Sequence, residues 1–157
     1  MLLFKLILGV STLLLFIKIA KNKCENKNYI SQFYYSLYML CEDFYGEMLY
    51  KKTPLETFLK KQKGNGLFIK VIDAFLNNKL DKTIFNKEFT SSEIDAILTF
   101  FSCLGDSNTE SQKNIILSYK EQFFKKHNEK LNLYNKCKTV YVKIGFSLGL
   151  MAMVVVL

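Results

Sequence analysis

An all-α fold, a helical bundle of about five or six helices flanked by N- and C-terminal transmembrane helices, is predicted by three observations. Apolar residues recur at three- and four-residue spacing through the middle of the chain. Helix-start signatures open several of these segments, and strand-like alternation is absent. The two ends, Leu2 to Ala20 and Val140 to Leu157, are almost wholly apolar, with lysine only near an edge of each (Lys5, Lys18, Lys143). Both approach the about 20 apolar residues that a helix needs to cross a bilayer. The expected organisation is therefore a transmembrane helix over 1–20, a cytoplasmic helical domain over 24–139, and a second transmembrane helix over 140–157.

The domain opens with Ile30, Phe33, Leu37, Leu40, Phe44 and Met48, whose spacing predicts one amphipathic helix from about Asn26 to Lys51. Thr53-Pro54-Leu55-Glu56 reads as a capping box with proline at the first helical position, opening a short helix through Phe58 and Leu59. Gly64-Asn65-Gly66 ends it in a turn. It lacks the length and the following Lys-Ser/Thr of a phosphate loop. Leu67, Phe68, Val71, Ile72, Phe75 and Leu76 form a third amphipathic segment. Residues 77–87 are polar, a loop with one helical turn around Thr83 to Glu88.

Thr90-Ser91-Ser92-Glu93 is another capping box, opening a helix that carries Ile94, Ile97, Leu98, Phe101 and Leu104. Gly105 stands where a left-handed helix end favours a residue without a Cβ. Ser107-Asn108-Thr109-Glu110 starts the last helix, with Ile115, Ile116, Tyr119, Phe123, Phe124, Leu131 and Tyr134 as its apolar positions. No Pro or Gly separates it from the second apolar end, so domain and membrane helix read as one rod of about 45 residues.

The net charge is +8 and every basic residue is a lysine. Lys18, Lys21, Lys23 and Lys27 follow the first apolar end; Lys130, Lys136, Lys138 and Lys143 precede or enter the second. The positive-inside rule then places the middle on the cytoplasmic side and both termini beyond the membrane. A retained anchor is favoured over a cleaved signal peptide, because Ile17-Lys18-Ile19-Ala20 is a poor small-residue cleavage site. The lysines suit an anionic lipid surface. Nucleic acid is disfavoured, since the bidentate guanine reader arginine is missing.

Catalytic and metal chemistry find little support. Cys24, Cys41, Cys103 and Cys137 are scattered without a Cys-x-x-Cys, so four free thiols in a reducing cytoplasm are expected and no zinc site is. The single histidine, His127, lies in a lysine-rich run that reads as a solvated helix face. Glu42 and Asp43 are neighbours and should diverge on a helix. The aromatics Phe33, Tyr34, Tyr35, Tyr38, Phe44 and Tyr45 read as core or helix-packing residues. Neither an enzyme nor a cofactor is expected. Gly145 and Gly149 form a Gly-x-x-x-Gly that would permit close helix packing in the membrane.

Three stretches resemble the stage III sporulation protein AB family of endospore-forming Firmicutes. The segment 40–50 with Thr53-Pro54-Leu55 is similar to that family's Leu…Glu-Ile-x-Tyr…Thr-Pro-Leu, with Glu47, Tyr50, Pro54 and Leu55 on matching positions. Leu104-Gly105-Asp106-Ser107 through Gln112 resembles its Leu-Gly-x-Ser-Asp-x-x-x-Gln, with Asn108 in place of the aspartate. Tyr141, Gly145, Gly149 and Leu150 resemble its entry to the C-terminal span. The family's central tryptophan has no counterpart here, Phe85 being the candidate for its place.

The resemblance implies a non-enzymatic, membrane-anchored platform subunit of a secretion-like channel between mother cell and forespore. It implies likeness to the helical domains of the type II secretion F platform protein. It also implies docking of a cytoplasmic ATPase, stage III sporulation protein AA by analogy, alongside other membrane subunits of the complex. Candidate partner-binding or helix-junction residues are then Glu47, Tyr50, Pro54, Leu55, Leu104, Gly105, Asp106, Ser107 and Gln112. The alternative reading is a lipid-binding, membrane-disrupting or pore-forming small basic protein, in which the lysines and not the corner motif matter.

Overall fold

A computed structural model describes residues 2–50, 53–104 and 109–156. Side chains are described for these except 2–9, 12, 13, 16, 20–23, 109, 149, 152, 153, 155 and 156. The described residues are helical or loop, with α1 over Leu2–Tyr50, α2 over Leu55–Lys60, α3 over Gly66–Leu76, α4 over Ser91–Cys103 and α5 over Thr109–Val156. A 3-10 turn covers Lys82–Ile84. The fold is all-α. Among the described residues no helix is long and apolar enough to cross a membrane. The spans expected over 1–20 and 140–157 fall partly on residues outside that description.

The chain divides into two compact units, Gln32–His127 and Met1–Ser31 with Asn128–Leu157, and α1 and α5 contribute to both.

The core of the Gln32–His127 unit is aromatic. Phe33 and Leu37 on α1, Phe68 and Val71 on α3, Phe100 on α4 and Ile116 on α5 are each at most 1 % exposed. Phe100 sits 5.1 Å edge-on from Phe123 and 5.2 Å from Phe101, which stacks in turn on Phe75. Edge-to-face geometry matches the positive ring edge to the negative face, worth about 0.5–1.5 kcal/mol per pair beyond area burial. The polar stretch before α4 is held by its two phenylalanines: Phe85 and Phe89 pack on Phe33 at 6.3 and 5.5 Å.

Caps explain the boundaries. Asn65 accepts a hydrogen bond from the Phe68 amide at 2.9 Å and so starts α3, where the sequence reading gave only a turn. Gly64 has a steric role: a Cβ there would lie 2.3 Å from Phe68 Cδ1 and 2.9 Å from Ser36 Oγ of α1. Asp81 accepts from the Thr83 amide at 2.8 Å and nucleates the 3-10 turn. The α4 capping box forms as the spacing predicts, with Thr90 and Glu93 bonded reciprocally.

The box expected at Thr53–Glu56 does not form. Helix α2 starts at Leu55 with Pro54 as N-cap and no side-chain cap bond, because both polar groups have other partners. The Thr53 hydroxyl donates to Glu47 Oε2 at 2.7 Å, and Glu56 pairs with Lys60 one turn on at 2.6 Å.

In the second unit, Cys24 of α1 and Cys137 of α5 are joined in a disulfide with Cα atoms 6.0 Å apart. The expectation of four free thiols therefore fails for this pair, whose 113-residue separation hides their proximity from sequence reading. Cys41 and Cys103 remain free.

Candidate functional site

The helical stretch around Glu47 builds a groove of about 380 Å³ between α1 and α2. Helix α1 supplies Glu42, Asp43, Gly46, Glu47 and Tyr50; α2 and the residues after it supply Phe58, Lys61 and Gln62. Positions 43, 46, 47 and 50 recur every three or four residues, which aligns them on one helix face. Gly46 leaves open space, since a Cβ there would meet nothing within 4 Å. Phe58 is buried and stacks 5.1 Å from Phe44, fixing α2 against α1. Tyr50 is 83 % exposed at the rim.

Glu42 and Asp43 both border this groove, contrary to the expectation that they diverge. Two side chains about 100° apart on a helix can still flank an opening this wide. Three carboxylates against Lys61 make the groove acidic in a chain of net charge +8. Partial burial, then the charges of Glu42 and Glu47, push the Asp43 carboxyl above its ordinary range. Glu42 also forms an ion pair with Lys120 of α5. The hydrogen bond to Glu42 raises the Lys120 ammonium further, and Lys120 lies 6.0 Å over the Tyr38 ring. The groove is suited to holding a polar or cationic segment against a floor of Phe58 and an open Gly46.

The predicted candidates separate into groups. Glu47 and Tyr50 line the groove, while Pro54 caps α2 and Leu55 is its first residue. Leu104 is the buried C-cap of α4, and Gln112 is 8 % exposed on α5. Its Nε2 has no hydrogen-bond partner among the described residues. Gly105, Asp106, Ser107 and Asn108 lie outside the described residues, so the corner expected to bridge to Gln112 is not on view. Of the described residues there, Leu104, Glu110, Ser111 and Gln112 do not line the groove. In the other unit Gly145 is buried while Ile144 and Phe146 beside it are about half exposed. Gly149 is helical, its surroundings outside the description.

Sequence reading passed over Asp43, Gly46, Lys61 and Gln62 as site residues. A glycine in mid-helix was the available signal, because it is costly there unless space is wanted. His127 stacks on Tyr35 at 5.2 Å. Its neighbour Lys126 reaches Glu93 Oε1 at 3.6 Å, so the basic run is partly engaged with α4. Burial pushes the Cys41 thiol up to about 12, partly offset by the Lys120 charge. Among the described residues no three His, Cys, Asp or Glu converge to hold a metal ion.

Fold and groove together define a small all-helical protein with an acidic surface groove. A family model for stage III sporulation protein AB matches residues 70–157, more than half of the chain, and the chain belongs to that family. Its role accordingly lies in sporulation. The stretches at 104–112 and 141–150 fall inside the matched residues; the groove-lining stretch at 40–55 precedes them. No curated protein and no solved structure matches the chain.

Proposed function

We propose that this chain is a non-enzymatic, membrane-anchored platform subunit of a secretion-like channel between mother cell and forespore. Its Gln32–His127 unit docks a cytoplasmic ATPase, by analogy stage III sporulation protein AA, through the acidic groove. Membership of the sporulation family is the observation that carries the reading. The groove supports it by offering carboxylates and an open apolar floor, which suit a partner segment better than a small substrate.

Membrane anchoring at 1–20 and 140–157 belongs to the same proposal. Leu14, Leu15, Ile19, Phe146, Met151 and Val154 are each more than half exposed, leaving an apolar surface that lipid would cover. The lysines at the inner ends of both segments suit an anionic leaflet and a cytoplasmic middle.

The test is affinity recovery of the full chain from sporulating cells. The parent should bring down the ATPase and other membrane subunits. Gly46→Leu fills the groove without a steric conflict at Cβ, and it should lose the ATPase while retaining its fold and the membrane subunits. Recovery of no ATPase or channel component by the parent overturns the reading.

A further inference from the structure

We infer that Cys24 and Cys137 form a thiol–disulfide exchange site, a clip that an external disulfide oxidant closes and a thiol reductant opens. The two cysteines belong to different helices, 113 residues apart, yet their Cα atoms stand 6.0 Å apart, within the range that a disulfide spans without backbone movement. The other two cysteines are excluded from the exchange. Cys41 is fully buried with its thiol held protonated, and Cys103 has no cysteine partner.

Burial orders the steps. Cys24 is 1 % exposed and Cys137 is 9 % exposed, so Cys137 is the entry thiol and Cys24 the resolving one. Lys136 and Lys138 flank Cys137 and are exposed, a positive setting that attracts an anionic disulfide such as oxidised glutathione. The Cys137 thiolate attacks one sulfur of the oxidant, breaking its S–S bond and expelling one thiolate. The Cys24 thiolate then attacks the Cys137 sulfur of the mixed disulfide and expels the second. Two electrons pass to the oxidant, and the two protons from the cysteines end on its released thiols.

Closing the clip ties the α1 and α5 parts of the Met1–Ser31 and Asn128–Leu157 unit covalently. It removes open conformations of a long chain loop, so the effect is largest on transient opening of this unit. In a reducing compartment the pair rests as two neighbouring thiols. Where residues 24 and 137 meet an oxidant, the unit locks.

The experiment uses the full chain in detergent, reduced and then titrated with oxidised glutathione. Peptide mapping without reductant should recover Cys24 linked to Cys137, with Cys41 and Cys103 alkylatable after unfolding. Amide exchange in residues 24–31 and 128–137 should slow at least roughly tenfold on oxidation. Cys24→Ser should accumulate a glutathione adduct at Cys137, and Cys137→Ser should give none at Cys24. Failure of the parent to form the linked peptide, or a dominant adduct on Cys24, overturns the proposal. The parent's peptide map decides the pairing even where a variant folds poorly.

Discussion

Two glycine-to-alanine substitutions should change stability in opposite directions. At Gly64 the new methyl would lie 2.3 Å from Phe68 Cδ1, 2.9 Å from Phe68 Cγ and 2.9 Å from Ser36 Oγ. The Phe68 ring is fully buried and cannot swing aside into solvent. Overpacking of this kind costs about 1–3 kcal/mol. Against it stands the lower entropy of the unfolded alanine chain, worth about 0.4–1 kcal/mol. Gly64 gains nothing from positive φ, so the steric cost decides and Gly64→Ala should lose about 1–2 kcal/mol. At Gly46 nothing lies within 4 Å of the new Cβ, and the residue is inside helix α1. There the helix preference for alanine dominates and Gly46→Ala should gain up to about 1 kcal/mol. The assay is thermal unfolding of the full chain in mild detergent, followed by far-ultraviolet circular dichroism. At about 4–8 °C per kcal/mol for a unit of roughly 100 residues, the two midpoints should separate by at least about 4 °C. Equal or greater stability for Gly64→Ala would refute the contact between Gly64, Phe68 and α1.

Other predictions test the carboxylates and thiols. Glu93→Ala removes the bond to the Thr90 amide and the pairing with Lys126, and should cost about 2–3 kcal/mol. Glu93→Gln, which keeps a cap acceptor and loses only the charge, should cost less in the same denaturant titration; equal losses would discount the cap bond. Asp43 holds its proton more tightly folded than unfolded, so its contribution to stability is present at low pH and fades as pH rises through its raised folded value. Asp43→Asn should therefore match the parent in acid and equal or exceed it at pH 7. A variant less stable at pH 7 would contradict the crowding by Glu42 and Glu47. With a thiol at about 12, folded Cys41 is ionised to only about one part in ten thousand at pH 8. Iodoacetamide should thus modify partly exposed Cys103 long before buried Cys41, and equal rates would show that Cys41 is not shielded.

The helices were legible because the signals that make them are local. The run Ile30, Phe33, Leu37, Leu40 and Phe44 is buried as its spacing requires, and the Thr90–Glu93 box closes within three residues. At Thr53 the same local reasoning failed. Its hydroxyl had a choice between the helix start and Glu47, and the packing of α2 on α1 decided for Glu47. The groove was half legible: Glu47 and Tyr50 stood out, whereas Lys61 and Gln62 join them only through the return of the chain after α2.

What the sequence determined by itself was the all-helical class, most element boundaries and the apolar ends. Spacing, caps and composition depend on residues a few positions apart. What only the tertiary structure decided was the partnership of distant residues: Cys24 with Cys137, Glu93 with Lys126, and Gly64 with Ser36. Such pairs meet when helices pack, and the geometry of packing is set by the whole core at once, with no trace in either neighbourhood of the chain.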